Sequence, residues 1–324
     1  MPGYYSISSL LFGAAVISNK MSAAADEDTT MMNCASCGEA DGDDIKLKRC
    51  ACKLVKYCSV KCQKHHRKQH KRDCKRRVAE LNDEISFKQP ESTHLGDCPI
   101  CCLPLPIDRE KCGSYLCCSK KICQGCEYAN RKREIEGRLQ HKCPFCRKAL
   151  PETEEEANEL LMKRIEANDP VAMREMGKGK NHEGDYEAAF DYLTRAAALG
   201  DAVAHYNLSI MYHTGKFVGK DEKKRLHHLT VAAIAGNPFA RHDLGCVEGI
   251  NGQHNRAAKH FIISAKLGHD GSLECVKEGY QAGLMSKEDF TAALRGYQAA
   301  IAATRSPQRE EAYAFYKKYI EGKV

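Results

Sequence analysis

Two regimes of apolar patterning meet near residue 169. From Asp169 onward apolar residues return at helical spacing, in text rich in Ala, Gly and Leu. The segments DPVAMREMG, DAVAHYNLS, NPFARHDLG and DGSLECVKE align, with Ala172, Ala204, Ala240 and Ser272 at one position and separations of 32, 36 and 32 residues. Each is followed by a second helical pattern: EAAFDYLTRAAALG, RLHHLTVAAIAG, RAAKHFIISAKLG and a weaker FTAALRGYQAA. Gly200, Gly236 and Gly268 close three of these where a glycine ends a helix. Each unit therefore predicts two short antiparallel helices whose alanines allow close approach. Units of this kind stack into an all-α solenoid with a concave binding face, here over 169–305. A helix from about Pro307 to Glu321 caps it within 306–324, and acidic ETEEE after Pro151 opens a connecting helix within 151–168.

Before residue 169 helical patterning is local. Val78, Leu81, Ile85 and Phe87 form a stripe on a charged helix from Lys75, and QPESTHLGD (89–97) reads as a short linker, so 75–97 is helix plus linker. A further helix is expected from Glu127 to Gln140. Leu10 to Ile17 is far shorter than the ~20 residues of a spanning helix. Ala23 and Ala25 resemble a cleavage site, but no basic segment precedes the run, and export would oxidise the thiols described next. Residues 1–33 are read as a disordered leader with a second candidate start at Met21. The expected compartment is cytoplasm or nucleus, with no membrane.

Composition changes the picture through cysteine. Seventeen of nineteen cysteines lie between Cys34 and Cys146, while tryptophan is absent and aromatics are 7%. Paired thiolates two residues apart grip one zinc ion, and two such pairs close a tetrahedral structural site. A secreted disulfide framework would show more varied spacings. Cys34, Cys37, Cys50, Cys52, Cys58, Cys62, His70 and Cys74 supply eight ligands; Cys98, Cys101, Cys117, Cys118, Cys123, Cys126, Cys143 and Cys146 supply eight more. Sixteen ligands make about four zinc sites. The chain is thus expected to be multidomain, with two small zinc-stabilised modules, 34–74 and 98–150, ahead of the solenoid. Metal ligation there replaces a large hydrophobic core.

Zinc also changes the charge. The formal +7 counts every thiol as neutral; four zinc ions and fifteen lost thiol protons bring it to zero. Overall basicity therefore says little about a nucleic-acid partner. Residues 45–77 do hold fourteen Lys or Arg against one acid, Asp73. The plainer reading is a solvated face, and nucleic acid is not expected as a partner.

The first cluster resembles the MYND zinc finger, a peptide-binding module, through CASCG, then YCSVKCQ, then His70 and Cys74. The resemblance implies a cross-brace in which Cys34, Cys37, Cys58 and Cys62 hold one zinc and Cys50, Cys52, His70 and Cys74 the other. Two features depart from the family. One residue, not two, separates Cys50 from Cys52, and Arg67 replaces the tryptophan that helps line a proline-rich-peptide groove, although Gln63 is kept. The second cluster looks like an all-cysteine RING domain, which implies Cys98, Cys101, Cys123 and Cys126 on one zinc and Cys117, Cys118, Cys143 and Cys146 on the other. Cys117 and Cys118 are adjacent, so Cys112 or Cys102 stands as an alternative ligand. The repeats resemble the Sel-one-like family, relatives of the tetratricopeptide solenoids that scaffold complexes.

The RING resemblance implies a ubiquitin ligase that orients a charged conjugating enzyme without covalent chemistry of its own. Its contact positions fall on Ile100 and Pro144, with Arg147 placed to bridge ubiquitin and the conjugating enzyme. Repeats and finger would then recruit substrate. The alternative is a non-enzymatic adaptor. Other enzyme classes fit poorly: the repeats leave no room for a methyltransferase domain, and a catalytic zinc keeps an open position. His227, His228 and His260 read as ordinary helix-face residues, and Cys246 and Cys275 as small buried hydrophobes.

Overall fold

The computed structural model describes residues 33–42 and 45–321. The expected leader lies almost wholly outside the described residues. The chain divides into two compact units that part after Lys88.

In the first unit, β1 (Lys48–Arg49) pairs antiparallel with β2 (Lys56–Tyr57), Lys48 opposite Tyr57. Helix α1 (Val60–Ser86) follows at once, its N-cap Ser59 accepting from Cys62 N. The helix expected from Lys75 begins at Val60 instead, so one 27-residue helix carries ligands Cys62, His70 and Cys74 as well as the stretch beyond them. Its length is about 40 Å. Cys62, His66, His70 and Cys74 recur every four residues, so one face of α1 points at the finger. The core is small: Cys34, Cys50, Cys52 and Tyr57, with Leu47, Leu54, Val55 and Val78 against them. Ile85 of the expected apolar stripe remains exposed.

The second unit opens with an antiparallel pair, β3 (Cys112–Tyr115) and β4 (Lys120–Cys123), Cys112 opposite Cys123. Helix α2 (Gln124–Glu136) starts three residues before the expected helix and stops at Gly137. Leu105, Tyr115 and Ile122 are buried among the cysteines. Helix α3 (Glu154–Glu166) begins behind Thr153, whose hydroxyl accepts from Glu156 N. Four helix pairs follow: α4 (Pro170–Glu183) with α5 (Tyr186–Ala198), α6 (Ala202–Thr214) with α7 (Glu222–Ile234), α8 (Pro238–Ile250) with α9 (His254–Lys266), and α10 (Asp270–Gln281) with α11 (Lys287–Ala303). Helix α12 (Pro307–Ile320) closes the array.

The Gly–Asp, Gly–Asn and Gly–His junctions explain the repeat. Gly200, Gly236 and Gly268 sit at φ +86°, +83° and +91°. Beyond them Asp201, Asn237 and His269 cap the next helix. Small residues set the helix spacing: a Cβ on Gly245 would stand 2.6 Å from Phe261. His260 is buried rather than facing solvent, while Cys246 and Cys275 are only half-buried.

The second zinc module is joined to the repeats. Tyr128 of α2 packs on Phe315 and Tyr316 of α12, with ring centroids 5.0 and 6.2 Å apart. Lys132 pairs with Glu311 at 3.1 Å. The segment read as a linker is docked too: His94 N donates to Gly236 O at 3.1 Å, and a Cβ on Gly236 would meet Ser92 O at 2.6 Å. No helix among the described residues is long and apolar enough to cross a membrane.

Candidate metal centres

The fold brings the sixteen predicted ligands into four sets, Cys34–Cys37–Cys58–Cys62, Cys50–Cys52–His70–Cys74, Cys98–Cys101–Cys123–Cys126 and Cys117–Cys118–Cys143–Cys146, each with its donor atoms within 4.8 Å of one another. Sulfur separations include 3.4 Å for Cys37–Cys58, 3.5 Å for Cys50–Cys74, 3.7 Å for Cys101–Cys123 and 3.8 Å for Cys118–Cys143. A tetrahedron with Zn–S bonds of about 2.3 Å has edges of about 3.8 Å, whereas a disulfide needs about 2.05 Å. The donors therefore fit zinc, all nineteen cysteines being free of disulfides. Three sets offer four sulfurs; the other offers three sulfurs and an imidazole. Donor sets with no carboxylate and no spare position suit a structural ion, which supplies folding energy by cross-linking the loops.

Four tight turns aim the sulfurs. In three of them the first cysteine of a C-x-x-C pair donates its N–H five residues ahead, Cys34 to Glu39 O (2.6 Å), Cys98 to Leu103 O (2.9 Å) and Cys143 to Lys148 O (2.8 Å). Its carbonyl accepts from the residue four ahead: Gly38, Cys102 and Arg147. Those residues have φ of +80°, +55° and +62°. In a fourth turn Cys50 N also donates five residues ahead, to Val55 O, but its carbonyl accepts from Lys53, three ahead rather than four and at φ +60°. The missing residue between Cys50 and Cys52 is absorbed there, which is why the set still closes. These turns also aim amide N–H groups at sulfur: Cys123 N lies 3.5 Å from Cys98 Sγ, and Cys146 N lies 3.5 Å from Cys143 Sγ. Burial opposes ionisation of Cys34, yet donors from Cys58, Cys37 and Ser36 outweigh it and hold the thiol at about 6. Cys98 is lowered as well, first by the Cys123 and Cys126 thiols.

His70 Nε2 lies 3.1 Å from Cys52 Sγ. Burial pushes His70 below its usual value, which keeps the ring neutral as a ligand must be. His66, one turn earlier on α1, stacks on His70 and pairs through Nδ1 with Tyr57 Oη at 2.9 Å. Cys102 and Cys112 stand outside the four sets. Cys102 is exposed, and Cys112 Sγ lies 3.6 Å from Pro106 O, burial pushing its thiol up to about 12. The adjacent Cys117 and Cys118 share one set because a turn after Tyr115 separates their directions: Cys117 Sγ meets Cys146 and Cys118 Sγ meets Cys143.

Ile100 lies within the Cys98–Cys101 turn and is 42% exposed; Phe145, in the matching Cys143–Cys146 turn, is also 42% exposed. Pro144 is half-buried and Arg147 exposed. On the first module Gln63 and Arg67 are exposed along α1. Sequence reasoning missed Arg309, which reaches Cys101 Sγ at 3.2 Å from α12. A charged residue early in a terminal helix gave no signal of that.

No curated protein matches the sequence of this chain. Among solved structures, a Sel1 repeat protein from Oxalobacter formigenes is similar at 21% identity and TM-score 0.41, over 56% of this chain and 72% of that one. A protective antigen of uropathogenic Escherichia coli with an SLR fold is similar at 22% identity and TM-score 0.38, over 52% of this chain and 37% of that one. Residues 34–74 match the family model of the MYND finger, and with two donor sets closing inside that span, the first module is a MYND finger.

Proposed function

We propose that this zinc-dependent protein-interaction chain is a RING-type ubiquitin ligase: the second module holds a charged conjugating enzyme while solenoid and finger recruit substrate. One observation carries the reading. Ile100 and Phe145 project exposed from matching zinc turns, while Leu105, Tyr115 and Ile122 of the same module are buried among its cysteines. Large apolar residues held on rigid metal turns suit the centre of a protein contact. Arg147 follows the last ligand and is exposed, so its guanidinium can donate to two partners at once. Catalysis would be orientation of the thioester, and no side chain here forms an intermediate.

A second reading, a non-enzymatic adaptor, is favoured by α12. That helix covers the Gly125–Tyr128–Lys132 face of α2 and makes the module part of the solenoid. The test is discharge of ubiquitin from a panel of charged conjugating enzymes to free lysine. It compares the zinc-loaded chain with Ile100→Ala and Arg147→Gly, glycine being chosen because φ is +62° there. Acceleration that both variants lose supports the ligase. No acceleration from any enzyme in the panel overturns it in favour of the adaptor.

A further inference from the structure

Arg309 is 1% exposed, which makes it one of the most deeply buried side chains in the second unit. Burying a guanidinium requires a negative partner, and among the described residues no carboxylate bonds to Arg309. The two acids beside it in sequence are engaged elsewhere: Glu310 with Arg305 at 3.2 Å and Glu311 with Lys132 at 3.1 Å. Arg309 instead donates to three carbonyls, Pro104 O (2.8 Å), Thr304 O (2.8 Å) and Leu103 O (3.2 Å), and to Cys101 Sγ at 3.2 Å. Carbonyl dipoles do not neutralise a charge. Four thiolates around one Zn²⁺ carry a net charge of −2, which does.

The position is fixed by packing. Gly125 of α2, directly before ligand Cys126, lets Arg309 approach; a Cβ there would stand 2.8 Å from Arg309 Cγ and 2.9 Å from its Cα. Leu103 and Pro104 belong to the turn that follows Cys98 and Cys101. One guanidinium thus clamps the knuckle's backbone and one of its sulfurs, from 208 residues away in sequence.

We propose that Arg309 is the outer-shell partner of the Cys98–Cys101–Cys123–Cys126 zinc centre, lowering the reactivity of the Cys101 thiolate and tying the hold on that ion to the docking of α12. A donor on a metal-bound sulfur draws electron density from it and orients it; outer-shell partners of this kind govern affinity. The solenoid's last helix then completes a metal site begun two hundred residues earlier. Loss of that helix would open this centre and leave the other three closed.

The test uses the full zinc-loaded chain and compares Arg309→Met, Arg309→Lys and, as a control on the same helix, Glu311→Gln. Zinc transfer to a chromophoric chelator gives release rates, and N-ethylmaleimide labelling read by peptide mass spectrometry gives the order in which cysteines react. Cobalt substitution adds the sulfur-to-metal charge-transfer band. Arg309→Met is expected to release one of the four ions roughly ten- to a hundredfold faster, to make Cys101 react before Cys98, Cys123 and Cys126, and to shift the cobalt band. Arg309→Lys should recover part of each effect, and Glu311→Gln none of the loss. Unchanged release and labelling order in Arg309→Met would overturn the proposal. So would labelling of all four cysteines in step with no shift of the cobalt band, because that pattern is loss of packing alone. Should Arg309→Met fail to fold, Arg309→Lys with wild-type release, labelling order and band position overturns the proposal by itself.

Discussion

Asp201 lets the solenoid's internal energetics be tested at one side chain. Its Oδ1 accepts from Ala204 N at 2.7 Å and caps α6, while Oδ2 accepts from Arg174 Nη1 of α4 at 2.6 Å. The two side chains are 7% and 6% exposed, so the pair works in low dielectric and joins one helix pair to the next. Arg174 keeps a second acceptor, Glu175 Oε1, at 2.8 and 3.0 Å, and that carboxylate also holds Lys178. Asp201→Asn preserves the cap and removes the charge. A buried hydrogen bond to a charged group is worth about 2 kcal/mol. Asp201→Ala removes the cap as well, about 1 kcal/mol more. Native-state hydrogen exchange suits a protein of several modules, since it reports local opening. Amides of α4 through α6 should exchange roughly thirtyfold faster in Asp201→Asn and ~150-fold faster in Asp201→Ala, at 1.4 kcal/mol per tenfold. Arg174→Met in the Asp201→Asn background should recover part of the loss, because an apolar replacement for a buried pair is often neutral. Equal exchange in the two single variants, or less than twofold change in either, would refute the reasoning.

Further outcomes follow from the same geometry. Gly245→Ala should destabilise α8 against α9 by about 1–3 kcal/mol through overpacking on Phe261, seen as faster exchange in 238–266 with unchanged zinc content. Cys112→Ser and Cys102→Ser should each retain four zinc ions by elemental analysis, whereas Cys52→Ser should lose one. Burial pushes His94, His228 and His269 down to about 4. The unfolded chain therefore binds more protons between about pH 6.5 and 4, and stability falls as pH drops through that window. His94→Gln should flatten part of this dependence in acid-denaturation curves. Glu134 behaves as a carboxylate does: burial raises it, but donors from His141, Asn130 and Lys142 N outweigh burial and hold it below its ordinary value. Its contribution is present above the unfolded carboxylate pKa and lost on acidification through the folded one, so Glu134→Gln should cost most at pH 7 and progressively less as the pH falls below the ordinary carboxylate range.

What the chain made legible was local. C-x-x-C spacing announced the metal turns, and Gly200, Gly236 and Gly268 announced three helix ends. The start of α1 was readable in principle from Ser59 and from Cys62, His70 and Cys74 at multiples of four, a helical spacing masked by the metal-ligand pattern. Cys102 and Arg147 hide the turns' left-handed residue, because neither is the glycine found at Gly38. Contacts between distant segments left no trace. Nothing in QPESTHLGD says that His94 binds the backbone at Gly236, and nothing near Pro307 says that Arg309 meets Cys101. Such contacts depend on how the solenoid curves back to the zinc module, which no window of sequence contains.

The most direct test of two cross-braced zinc modules in one chain is the metal itself, counted and then examined by X-ray absorption at the zinc edge. The account predicts four zinc ions per chain in four-coordinate sites with sulfur at about 2.3 Å, fifteen sulfurs and one imidazole nitrogen in all. Two ions per chain, or a shell rich in oxygen, would contradict it.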